Sequence, residues 1–95
     1  IITTGQLTPV SPEGVHQDGY DYIAIVGIDR HNIFGGAAQV YKTYGGKPIF
    51  ECHLQSGEML IINDKELWHN AIDISRVDES ITGYMDAFIL TANYE

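Results

Sequence analysis

The chain carries one cysteine, Cys52, so it has no partner for an intramolecular disulfide. That excludes a small secreted scaffold stapled by disulfides. Basic residues are also scarce: Lys and Arg number 5 against 13 Asp and Glu, for a net charge of −8. Such a balance argues against nucleic acid or an anionic membrane surface as a partner. The acidic excess reads as a solvated face that serves solubility. No apolar run reaches the length of about 18 residues that a membrane-spanning helix needs, and no signal-peptide pattern is present. The expected setting is soluble and cytoplasmic. The chain begins at Ile1 with no initiator methionine, so missing leader signals carry little weight and the sequence is compatible with a fragment. Helical periodicity is lacking too. No segment sustains a 3.6-residue apolar period over about ten residues.

What is present reads as strand. With 95 residues, 44% hydrophobic and 19% charged, the expectation is one domain over 1–95, with 1–14 as an extended lead-in. A chain of this size buries roughly 60–70% of its unfolded surface. Thr8-Pro9 and Ser11-Pro12 keep the lead-in extended, since residues before proline avoid helix. Asp21 to Ile28 is β-branched and of strand length, and Gly27 within it fits a bulge or a close backbone approach. Asp29 to Gly36 has turn chemistry. Gln39–Thr43 and Ile49–Leu54 flank Gly45-Gly46, a hairpin signal. Met59–Asn63 and Glu66–Ile72 follow as strands, the latter with Leu67 and His69 on one face and Trp68 on the other. Asp73 to Thr82 reads as a polar loop, and Gly83 to Tyr94 as a long last strand. Short strands at near-regular spacing predict an all-β sandwich or barrel.

His16-Gln17-Asp18 stands at the head of the first apolar run. Residues two apart in an extended segment face the same way, so the imidazole and the carboxylate project together. One more histidine would complete the two-histidine, one-carboxylate facial triad of non-heme Fe(II) oxygenases. His69, in Leu67-Trp68-His69-Asn70-Ala71, is the candidate. The plainer reading is a solvated loop, because His-x-Asp is a short motif and Asp18-Gly19 is a turn dipeptide. A double-stranded β-helix, or jelly roll, suits three ligands so far apart in sequence.

Several ordered blocks carry a resemblance. They are Pro12-Glu13-Gly14-Val15-His16-Gln17-Asp18-Gly19, Arg30-His31-Asn32 with Gly35-Gly36, Asn63-Asp64 with Leu67-Trp68-His69-Asn70-Ala71, and Gly83-Tyr84 with Asp86 and Phe88-Ile89-Leu90-Thr91. Together they resemble the bacterial Fe(II)/2-oxoglutarate dioxygenases related to L-isoleucine 4-hydroxylase, from about Pro12 to Thr91. The resemblance implies a jelly roll holding Fe(II) through His16, Asp18 and His69 as the catalytic centre. It also implies 2-oxoglutarate as co-substrate and hydroxylation of a small molecule, a free amino acid in the family, with succinate and CO2 released. Gln17, Trp68 and Asn70, with Arg30, are then the expected substrate-side residues.

Three departures qualify what carries over. The family places an arginine for the distal carboxylate of 2-oxoglutarate between the Gly-aromatic pair and the Asp of the last strand, where this chain has Met85. Methionine cannot pair with a carboxylate, and an unpaired buried acid is strongly disfavoured. Arg76, Lys65 and Arg30 are the replacements, with Arg76 preferred. Ala37-Ala38 stands where the family commonly has polar residues. Only fifteen residues precede His16, so the jelly roll is expected to be shortened on its N-terminal side, with apolar surface that a homo-oligomer would cover.

Other residues have ordinary readings. His31 reads as a turn residue, His53 as structural and Cys52 as a half-buried thiol. Glu58 belongs to a turn. A non-catalytic metal- or ligand-binding jelly roll is the alternative function, favoured by Met85. A cupin ranks third, because His16 and Asp18 supply too few of its ligands.

Overall fold

The β-branched run that begins after Asp21 forms one of the two longest strands, and its alternation sets the core. The computed structural model describes residues 1–94; Glu95, the last residue of the expected 1–95 unit, lies outside the described residues. Among those described there are nine strands and no helix: β1 (Ile2–Thr3), β2 (Tyr22–His31), β3 (Ile33–Gly35), β4 (Ala38–Tyr41), β5 (Pro48–Cys52), β6 (Met59–Asn63), β7 (Trp68–Ala71), β8 (Ile74–Arg76) and β9 (Gly83–Ala92). Nothing described is therefore a helix long and apolar enough to cross a membrane.

The strands make a four-stranded sheet in the order β1-β9-β2-β6, a three-stranded sheet in the order β5-β4-β7, and a β3-β8 ribbon. All pairings are antiparallel. The architecture is an all-β jelly roll. Ile23 of β2 and Ile62 of β6 are cross-strand partners on the inner face, and both are almost wholly buried. They meet Val40 of β4, with Ile25, Leu60 and Leu67 packed around them. The period-two alternation turns the intervening residues outward. Met59, Ile61, Phe88 and Leu90 are all exposed, which leaves an apolar outer face on β6-β2-β9.

The strand expectations hold at β2, β4, β5, β6, β7 and β9, and Gly45-Gly46 closes the β4–β5 hairpin, with Gly45 at a φ of 84°. Two expectations need correction. The segment Asp29 to Gly36 is not simply a turn: β2 continues to His31 and β3 follows. The segment Asp73 to Thr82 is not simply a loop, since Ile74–Arg76 pairs with Ile33–Gly35. Strands of three residues are too short to show alternation, and tertiary pairing decides them. Asn32, at a φ of 56°, makes the corner between β2 and β3. Its side chain accepts from Asp78 N (2.7 Å) and donates to Asp78 O (2.9 Å), tying down the loop after β8.

The lead-in is paired in places, and Pro12 sits in a turn closed by Gly14 N donating to Ser11 O at 2.9 Å rather than in continuous extended backbone. Ile2 and Thr3 add to the edge of β9, Thr8 bridges to Ile74, and His16 bridges to His69.

Gly27 is both a bulge and a close approach. The β2–β9 register shifts between Gly27 and Asp29, and a Cβ at Gly27 would lie 2.5 Å from Gln55 O and 3.1 Å from Leu54 O. Those oxygens are backbone and cannot swing aside. Gly27→Ala is therefore expected to lower stability by about 1–3 kcal/mol, the usual cost of overpacking. A urea unfolding midpoint equal to wild type would contradict this close packing.

Candidate metal centre

His16 and His69 are held opposite each other by their own backbones. His16 N donates to His69 O and His69 N donates to His16 O, each at 2.9 Å. Directly opposed residues of an antiparallel pair place their side chains on the same face. The two imidazoles accordingly lie with ring centroids 4.2 Å apart, tilted by 57°. Asp18, two residues beyond His16, turns to the same face. Its Oδ1 is 3.3 Å from His16 Nε2 and its Oδ2 is 3.3 Å from His69 Nε2. The three potential ligand atoms all lie within 4.8 Å of one another. Ligands at about 2.1 Å from a metal and at right angles are about 3 Å apart, and the two Asp18–histidine separations of 3.3 Å lie near that value.

The nitrogens are sorted before any ion arrives. His16 Nδ1 lies 2.7 Å from Gly14 O, and an imidazole facing a carbonyl must donate to it. That turns Nε2 toward Asp18 and the candidate metal position. His16 Nε2 also lies 3.0 Å from Glu13 Oε1 at the rim. His69 is buried, and its Nδ1 has no hydrogen-bond partner among the described residues. Burial, and then neighbouring His16, hold the His69 pKa below its ordinary value, with Asp18 and Asp64 opposing. The ring is thus biased to the neutral form that a metal requires.

The centre sits at the edge of a cavity of about 290 Å³ between the two sheets. Ile25, Leu54, Ala87 and Ile89 give it apolar walls, while Glu13 and Asp86 add carboxylates. No Lys or Arg is among its lining residues. Met85 lines it from β9, and the Met85 sulfur occupies the space beside Gly36, only 2.7 Å from where a Cβ would stand.

The other sequence candidates fall in different places. Asn70 lines the cavity and donates to Gln39 Oε1 at 3.0 Å. Ala38 lines it as well, with Ala37 buried beside it. Gln17 turns away and donates to Leu67 O at 3.2 Å, fastening its loop to the start of β7. Trp68 is on the opposite face of β7, against Tyr44 at a centroid distance of 5.2 Å. Arg30 does not line the cavity, but it is the cross-strand partner of Met85, and its guanidinium donates to Gly35 O at 2.8 Å. Arg76 lies on β8 away from the cavity and donates to Glu79 O at 2.5 Å. Lys65 reaches Gly19 O. His31 stacks on Tyr84, and His53 is exposed. Burial, then Glu58, push the Cys52 thiol up, which fits an inert side chain.

Sequence reasoning gave no site role to three nearby carboxylates: Glu13, Asp86 and Asp64. Asp64 follows a strand and reads locally as a turn residue. The available signal was topological, since β6 ends beside the start of β2 and so brings Asp64 under Asp18.

Comparison with known proteins bears on this arrangement. A comparison with curated proteins gives no match. Among solved structures, a bsmA homolog from Methylobium petroleophilum PM1 is similar over 98% of this chain and 38% of its own, at a TM-score of 0.82 and 27% identity. IDO from Bacillus thuringiensis is similar over 94% of this chain and 42% of its own, at a TM-score of 0.80 and 15% identity, which speaks to the fold alone. The chain thus spans less than half the length of either structure. The family described as 2OG-Fe dioxygenase matches residues 1–91. With nearly the whole chain matched, and with two histidines and a carboxylate gathered on one face, this protein belongs to the 2OG-Fe dioxygenase family.

Proposed function

We propose that this chain holds Fe(II) on His16, Asp18 and His69 and, with 2-oxoglutarate, hydroxylates a small aliphatic amine, a free amino acid being the best fit. The observation that carries the reading is the backbone bridge between His16 and His69, which faces both imidazoles and the Asp18 carboxylate toward one point beside a cavity. Two imidazoles and one carboxylate suit Fe(II) and leave open positions. When bound, iron and 2-oxoglutarate would supply the chemistry that activates O2, one oxygen atom going to an unactivated C–H bond and the other to succinate as CO2 is released.

The chain's own residues would bind and orient. The apolar walls at Ile25, Leu54 and Ile89 suit an aliphatic side chain, and Ala38 adds no polar group. Glu13 and Asp86 suit an ammonium group. The family resemblance to enzymes related to L-isoleucine 4-hydroxylase supports the same substrate class. The distal carboxylate of 2-oxoglutarate finds no cation among the lining residues. Of the two candidate arginines, Arg30 is better placed than Arg76, because it stands directly across from Met85 on the neighbouring strand. Its guanidinium offers five donors and can keep Gly35 O while pairing with an acid.

The second reading is a metal-binding protein without turnover, and the absence of Lys or Arg from the cavity lining favours it. Anaerobic titration with Fe(II) and then 2-oxoglutarate separates the two. The enzyme reading expects a weak metal-to-ligand charge-transfer band in the visible. Iron binding without that band would give the binding-protein reading precedence. His69→Ala is expected to abolish stoichiometric Fe(II) binding while leaving the fold intact, because the bridge to His16 uses only backbone atoms. Iron content equal to wild type would overturn the ligand assignment.

A further inference from the structure

Asp64 is a charged side chain with no solvent exposure. It follows β6 and begins the turn that leads to β7. Its own N donates to Asp21 O at 3.1 Å, and Leu67 N closes the turn on Asn63 O at 3.0 Å. Its two carboxylate oxygens are used differently. Oδ2 accepts from Asp18 N at 3.0 Å and from Tyr20 N at 3.1 Å. Oδ1 shares the Asp18 N–H at 3.2 Å and faces His69 Nδ1 at 3.6 Å. That His69 nitrogen is itself buried and has no hydrogen-bond partner among the described residues.

A carboxylate buried this deeply is costly unless it is compensated. Two backbone N–H groups provide part of the compensation, and both come from the segment that carries Asp18. The remaining capacity of Oδ1 points toward the imidazole of the other strand. One side chain therefore touches both halves of the centre.

We propose that Asp64 is the positioning residue of the metal centre: it fixes the Asp18 segment through its N–H groups and accepts the His69 Nδ1–H once Nε2 is engaged by the ion. The inference rests on the metal reading above. The separation of 3.6 Å is too long for a hydrogen bond, and contraction is expected on loading, because a metal on Nε2 makes the Nδ1–H a stronger donor. A carboxylate behind a ligating histidine fixes its tautomer and raises its basicity.

Asp64→Asn tests this. Its side-chain oxygen can still accept from Asp18 N and Tyr20 N, so a merely structural role survives. Its amide NH2 would face His69 Nδ1–H as donor against donor. The expected result is a folded protein with near-native thermal unfolding and Fe(II) affinity reduced by about 10- to 100-fold. A second measurement needs no variant. In wild-type protein loaded with Zn(II), as a diamagnetic probe, the His69 Nδ1–H proton should resonate far downfield and exchange slowly. Native Fe(II) affinity in folded Asp64→Asn, or a fast-exchanging His69 Nδ1–H in the Zn(II) form, would overturn the inference and leave the metal reading standing. Failure of the wild type to bind either ion would bring down both.

Discussion

The pair of backbone hydrogen bonds between His16 and His69 is the interaction on which the site depends. It joins the end of the lead-in to the edge of the three-stranded sheet, at the one register that sets two imidazoles side by side. A slip of one residue would turn His16 and Asp18 to the opposite face together. The neighbouring contacts enforce that register. Thr8 pairs with Ile74 on one side, and Gln17 reaches the backbone around Leu67 on the other. Rigid backbone therefore supports the arrangement, and the side chains need only complete it.

Burial and charge then divide the centre into two zones. Toward the interior, His69 and Asp64 are shut off from water, so their partners must come from protein or from an ion. Toward the cavity, Asp18 and Glu13 stay accessible and can exchange partners. The cavity itself is apolar with acidic edges, and Met85 forms part of its wall. The β2–β9 pairing sets Arg30 across from that methionine. Local sequence cannot reveal that pairing, because the two positions are far apart in the chain.

The outer face of the four-stranded sheet poses a different constraint. Met59, Ile61, Phe88 and Leu90 are exposed there, although their strands are as apolar as those of the core. Strands β2 and β9 read as apolar on both faces, the pattern of strands covered on both sides. The inner face is covered by the three-stranded sheet through Val40.

Much of this protein was determined by sequence alone. Alternation and turn residues located six strands, Gly45-Gly46 marked a hairpin, and Gly27 marked an irregularity, because these signals are local and repeat over several residues. The grouping of His16, Asp18 and His69 was legible because metal chemistry restricts the residue types, and because strand geometry puts residues two apart on one face. The tertiary structure alone decided the rest. It paired the three-residue strands β3 and β8, which are too short to carry a period. It withdrew Gln17 and Trp68 from the cavity and kept Asn70, since those outcomes depend on which face a neighbour covers. It also brought Asp64, a turn residue by sequence, beneath Asp18 and beside His69, because burial and hydrogen bonding arise between strands and not within them.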